Sequence, residues 1–302
     1  MSTITAAAAP AKAKGPIVWR DMDQSELDDA YDQLVYAPNR DLIVARRIAA
    51  SERARAVLGP PQRLAYGPSE HEKLDIFPSA VANAPINVFV HGGAWRRNKA
   101  ADYALQAEPL VRAGAHAVII DFINVDQAGG DLFPMYEQVC RAIAWTWRNA
   151  DKIGGDRERF YISAHSSGSH LSGCALSVGW REQGLPQDFC KGALLASGMY
   201  DLAPVRLSKR SAYVNFTDAM VAKLSSLRHL DGLHTPLIVA HGGCETPEFQ
   251  RQTRDFAAAV KAAGKPIQIL VGEGYNHFEM LETLANPYGL LGRAMLSQMM
   301  LI

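Results

Sequence analysis

The sequence predicts an α/β fold: a mostly parallel central sheet flanked by helices, with an N-terminal helical segment packed over it. Three observations predict this class. Short apolar runs alternate with helical stretches long enough to serve as crossovers between parallel strands. Hydrophobic residues make up 48% of the 302 positions, so a sizeable core can form without disulfide staples. Several apolar runs end in Gly- or Ser-rich turns, and sites in such sheets form at the carboxyl ends of strands.

The elements follow in order. Residues 1–18 are rich in Ala, with Lys12 and Lys14 near the end. A secretory signal would place positive charge before the apolar stretch, so this reads as the disordered tail of a cytoplasmic protein. No Pro/Ser-rich linker divides residues 19–302, which predicts one domain. Its first part, 19–60, is helical and charged and is broken at Pro38. Asp41 is placed to cap a helix in which Leu42, Ala45, Ile48 and Ala49 share one face. Gly59-Pro60-Pro61 ends it. Strands are expected at 74–77, 86–90, 117–122, 160–163, 193–196, 237–240 and 267–271. Helices are expected at 101–112, 134–149, 168–178, 248–263 and 287–300.

Charge and motif content exclude several functions. Lys+Arg and Asp+Glu both number 31, which lacks the basic excess of a phosphate-neutralising nucleic-acid binder. No apolar run is long enough to span a membrane as a helix. Cys140, Cys174, Cys190 and Cys244 form no C-x-x-C pair and are read as buried free thiols in a reducing compartment. The absence of H-E-x-x-H, P-loop and early G-x-G-x-x-G patterns predicts no metal and no cofactor. Zero net charge fits a substrate chosen by pocket shape more than by long-range charge.

Four strand ends carry chemistry. Ser163-Ala164-His165-Ser166-Ser167-Gly168 lies between a strand and a helix, the context of a nucleophile elbow. Ala164 stands where the G-x-S-x-G pattern has its first glycine. A Ser-rich helix cap is the plainer reading of the same residues. His91-Gly92-Gly93-Ala94-Trp95 follows a strand, and its glycines leave backbone N–H groups free to form an oxyanion hole. His277, in Tyr275-Asn276-His277-Phe278, is late, in a loop, and suited to general-base work. The acid that orients it should follow the strand at 237–240. Glu245 is the first carboxylate there, with Glu248 and Asp201 as rivals.

These motifs together resemble the arylformamidase (kynurenine formamidase) group of the α/β-hydrolases and its esterase-like relatives. The resemblance runs from about Asp32 to the C-terminus. It rests on Tyr66-Gly67-Pro68, Leu74-Asp75-Ile76-Phe77-Pro78, His91-Gly92-Gly93-Ala94-Trp95-Arg96, Ala144-Trp145-Thr146-Trp147-Arg148-Asn149 and His165-Ser166-Ser167-Gly168-Ser169-His170-Leu171. Ser197-Gly198-Met199-Tyr200-Asp201-Leu202, Glu245-Thr246-Pro247-Glu248-Phe249 with Gln252, and Asn276-His277-Phe278 continue it. The resemblance implies a serine hydrolase of esters or amides, without cofactor, acting on a small molecule as a homodimer. It implies Ser166 as nucleophile, His277 as base and Glu245 as acid, where relatives commonly carry Asp. It implies an oxyanion hole from the N–H groups of Gly93, Ala94 and Ser167, and leaves Asp201 structural. Trp95 and His165 are expected to contact substrate. Ala94 in place of a frequent aromatic, Ala164, and the loop Asn124-Val125-Asp126-Gln127-Ala128-Gly129-Gly130 depart from the pattern and bear on the substrate. A non-catalytic binding protein of the same fold, or an acyltransferase, are the alternatives from other classes.

Overall fold

The computed structural model describes residues 14–302. Most of the tail expected at 1–18 therefore lies outside the described residues. Its last positions differ from that expectation, because β1 (Ile17–Trp19) pairs antiparallel with β2 (Met22–Asp23).

The central sheet has eight strands. They are β3 (Gln62–Ala65), β4 (Lys73–Phe77), β5 (Ala84–Val90), β6 (His116–Ile120), β7 (Gly155–His165), β8 (Cys190–Ala196), β9 (Leu237–Gly242) and β10 (Ile267–Gly272). Their spatial order is β10-β9-β8-β7-β5-β6-β4-β3. From β6 to β10 all pairings are parallel, whereas β4 runs antiparallel to β6 and to β3. Alternation along each strand makes two cores. Ile86, Val88, Val90, Val118 and Ile120 join one, and Phe89, Ala117 and Ile119 join the other. Both faces of β5 and β6 are buried, which explains why their residues are apolar apart from Asn87 and His116.

Helices cover both faces. The chain order is α1 (Gln24–Ala30), α2 (Gln33–Tyr36), α3 (Arg40–Leu58), α4 (Ala107–Arg112), α5 (Phe133–Arg148) and α6 (Ser167–Leu176), then α7 (Leu202–Val205) and α8 (Asp218–Lys223). The last three are α9 (Pro247–Ala262), α10 (His277–Glu282) and α11 (Leu290–Gln298). None of the described helices is long and apolar enough to cross a membrane. The expected helix at 101–112 begins instead as a 3-10 turn, Ala100–Gln106. The one at 287–300 is shorter and starts after Gly289, and a separate helix, α10, precedes it, capped by Asn276 with a capping box to Glu279.

The orientation of α3 corrects the sequence expectation. Asn39, not Asp41, precedes the helix, and Asp41 pairs with Arg40. Leu42, Ala45, Ile48 and Ala49 face outward, while Ile43, Arg47, Ser51 and Ala54 face in. A polar buried face is stable because its groups find partners. Ser51 Oγ donates to the Asp102 carbonyl at 3.0 Å and accepts the Leu105 N–H at 3.2 Å. Arg47 lies over the Tyr103 ring, 4.6 Å from its centroid. Cys140, Cys174 and Cys190 are buried free thiols as expected, but Cys244 is exposed in the loop after β9.

Candidate active site

The carboxyl ends of β5, β7, β8, β9 and β10 bring the candidate residues to one edge. Ser166 follows β7 directly and caps α6, with φ 58° and ψ −127°. That left-handed φ is costly for a residue with a side chain and is a strain found at functional turns. Its N–H donates to the Ala196 carbonyl at 2.9 Å, which fixes the turn to the neighbouring strand. The turn must pass close to β5. A Cβ on Gly168 would lie 2.1 Å from the Val90 carbonyl oxygen, and one on Gly92 would lie 2.8 Å from Ser166 Cβ. Glycine is therefore required at both positions, while Ala164 is accommodated within the buried strand.

A continuous hydrogen-bond chain runs from this turn. Ser166 Oγ is 2.9 Å from His277 Nε2, and His277 Nδ1 is 3.0 Å from Glu245 Oε2. The other carboxylate oxygen, Oε1, accepts the Gly242 N–H at 2.7 Å and the Ser197 hydroxyl at 2.6 Å. The rivals for the acid position stand elsewhere. Glu248 is held by Arg251 and by the Tyr31 hydroxyl, and Asp201 caps α7 and pairs with Arg228. His165 donates from Nε2 to the His277 carbonyl at 2.9 Å, a tautomer assigned from its partner. Burial, with the nearby His277 adding, holds His165 well below the ordinary histidine pKa. Phe249 meets the His277 ring edge-to-face, with centroids 5.2 Å apart.

Gly93, Ala94 and Trp95 have successive positive φ angles of 130°, 55° and 64°. Two non-glycine residues in that region mark a strained loop. Arg97 closes it by donating its N–H to the Gly93 carbonyl at 3.1 Å. Among the described residues no acceptor takes the N–H of Gly93 or Ala94, and Ser167 starts α6, where N–H groups are intrinsically free. A cavity of about 290 Å³ opens here, lined by Gly93, Ala94, His165, Ser166 and His277.

Trp95 corrects its expected role. It is 1% exposed and does not line the cavity. Its Nε1–H donates to His170 Nδ1 at 3.2 Å, and its ring packs edge-on to that imidazole. His170 Nε2 in turn donates to the Leu224 carbonyl at 2.8 Å, so the ring is neutral with both nitrogens used. Burial, helped by Arg210, lowers this histidine from 6.5 to about 4. Its folded pKa lies below its unfolded one, so its contribution is present above 6.5 and lost as pH falls toward about 4. That loss amounts to about 3 kcal/mol. Denaturant unfolding at stepped pH should show the decline, and His170→Gln should flatten it by about one proton.

Sequence reasoning missed Ser197, Arg47 and Arg210. Ser197 had a signal as a strand-end Ser-Gly pair, whereas the two arginines had none, because they reach the site from elements far away in the chain.

The chain has counterparts among known proteins. The BD-FAE family model matches residues 74–184. A kynurenine formamidase from Danio rerio is 28% identical over 92% of this chain and 97% of its own length. Esterase LipC from Mycobacterium tuberculosis is 27% identical over 68% of this chain and 56% of its own length. The solved structure of the propionate-bound esterase Est2 from Thermogutta terrifontis superposes with a TM-score of 0.66. It is 19% identical and covers 81% of this chain and 96% of that one. The chain has the α/β-hydrolase fold and is similar in sequence to kynurenine formamidase and to esterases. The cavity sits where this fold places its sites, at a strand-end crevice.

Proposed function

We propose that this chain is a serine hydrolase that cleaves a carboxylic ester or an aryl amide, formamides included, through an acyl-enzyme. The observation that carries the proposal is the unbroken chain Ser166–His277–Glu245 facing the cavity. His277 Nε2 takes the Ser166 proton as Oγ attacks the carbonyl carbon. Glu245 holds the proton on Nδ1 and stabilises the imidazolium. The N–H groups of Gly93, Ala94 and Ser167 receive the developing oxyanion. His277 then protonates the leaving amine or alcohol, and afterwards activates the water that releases the acid. The full-length likeness to the Danio rerio formamidase supports aryl formamides among the substrates.

A fluorophosphonate probe tests the nucleophile. One adduct per chain, on the peptide carrying Ser166, is expected by mass spectrometry. No adduct would favour a non-catalytic binding protein. A panel of N-formylkynurenine, p-nitrophenyl esters and aryl amides then ranks the leaving groups, and added alcohols or amines reveal any acyl transfer.

A further inference from the structure

Two buried arginines line the same cavity with no carboxylate partner. Arg47 comes from α3 and is 8% exposed. Its Nη1 donates to the Tyr103 hydroxyl at 3.1 Å and its Nη2 reaches Asn98 Oδ1 only at 3.4 Å. Its Nε has no partner among the described residues. Arg210 comes from the excursion between β8 and β9 and is 6% exposed. It donates to the Tyr213 hydroxyl at 2.8 Å and to the Tyr31 carbonyl at 3.0 Å, and its Nε is likewise without a partner. Among the described residues Asp32 is the sole Asp or Glu lining the cavity, and Lys209 neutralises it.

A buried guanidinium is normally matched by an anion, because desolvating an unmatched charge is unfavourable. Neutral hydroxyls and carbonyls only partly replace the lost hydration. A guanidinium also has the planar fork that fits a carboxylate with two parallel hydrogen bonds. Here the counter-charge is missing from the protein on two walls of one cavity, beside the Ser166 hydroxyl. We infer that the substrate carries an anionic group, a carboxylate in the first instance, and that Arg47 and Arg210 select it. This inference rests on the serine-hydrolase reading and narrows it. The cavity has no free carboxylate to receive a cation, so cationic substrates are disfavoured.

Matched aryl esters bearing a carboxylate, a carboxamide or a primary ammonium at one position, on the acyl or on the leaving side, test this. Wild type is expected to prefer the carboxylate by about 10-fold or more in kcat/KM in at least one series, with the ammonium ester poorest. In Arg47→Met or Arg210→Met that preference ratio falls toward one, and Arg47→Lys retains part of it. The ratio cancels any general damage from the substitution, and circular dichroism checks folding. Wild-type kcat/KM equal for carboxylate and carboxamide in both series would overturn the inference, as would a ratio unchanged in both Met variants. Calorimetry with benzoate and benzamide separates the two readings. If no ester is turned over and no Ser166 adduct forms, the hydrolase reading fails. Tighter binding of benzoate than benzamide, lost in Arg47→Met, would still support the anion site.

Discussion

Ser166→Ala is expected to lower kcat on an activated aryl ester by about 10⁴- to 10⁶-fold. In the proposed mechanism this hydroxyl is the attacking group, and its side-chain partner is His277 Nε2 at 2.9 Å. Removing it abolishes the covalent route. The N–H groups of Gly93 and Ala94 and the cavity walls remain, so a residual rate above that in water is expected from binding and polarisation alone. Folding should be nearly untouched. The Ser166 N–H still reaches the Ala196 carbonyl, and alanine meets the same left-handed backbone as serine. The lost hydrogen bond is worth about 1 kcal/mol. Stopped-flow turnover checks the rate, thermal unfolding checks the fold, and the variant should take no fluorophosphonate label. Unchanged turnover would eliminate Ser166 as nucleophile.

The sheet was legible because its strands are buried on both faces. Their runs, such as 86–90 and 117–122, are almost entirely apolar, broken only by Asn87 and Asp121. The elbow and the glycine loop were legible for a related reason. Close approach of Gly92 and Gly168 to neighbouring backbone leaves no room for another residue, so the need is written in the residue type itself. The strand β3 was not legible, since all four of its residues are exposed and they lack the apolar run that marks the inner strands. The face of α3 was misread because helical periodicity ranks apolar side chains as buried. Arg47 and Ser51 outcompete Leu42 and Ile48 for the interior through partners at Tyr103, Asp102 and Leu105. The same blindness hides the charge of the cavity. Zero net charge over the whole chain says nothing about where individual cations sit, and Arg47 and Arg210 converge on one site from segments far apart in sequence. Selection by pocket shape more than by long-range charge, expected from that neutrality, leaves room for the local charge that Arg47 and Arg210 bring to the cavity.

Glu245→Gln is expected to lower kcat by about 10³- to 10⁴-fold while leaving KM and stability nearly constant. The argument is one of proton placement. In the native chain Oε1 accepts the Gly242 N–H at 2.7 Å, and Oε2 faces His277 Nδ1 at 3.0 Å. A backbone N–H cannot reverse, so the glutamine carbonyl oxygen must keep the Gly242 position, where the Ser197 hydroxyl also donates. Its NH₂ group then points at Nδ1. That nitrogen must become the acceptor, which moves the imidazole proton to Nε2. His277 now presents a donor to the Ser166 hydroxyl at 2.9 Å and cannot take its proton. The side-chain volume and two of the three polar contacts of the carboxylate are conserved and the third is reversed, so unfolding free energy should shift by about 1 kcal/mol or less. Steady-state kinetics on one ester and one formamide, with denaturant unfolding of the same samples, separates this outcome from simple destabilisation. A tautomer block also predicts that raising the pH restores part of the rate, because a more basic medium takes the Ser166 proton without His277. A glutamine variant with wild-type kcat would mean that Glu245 is only structural.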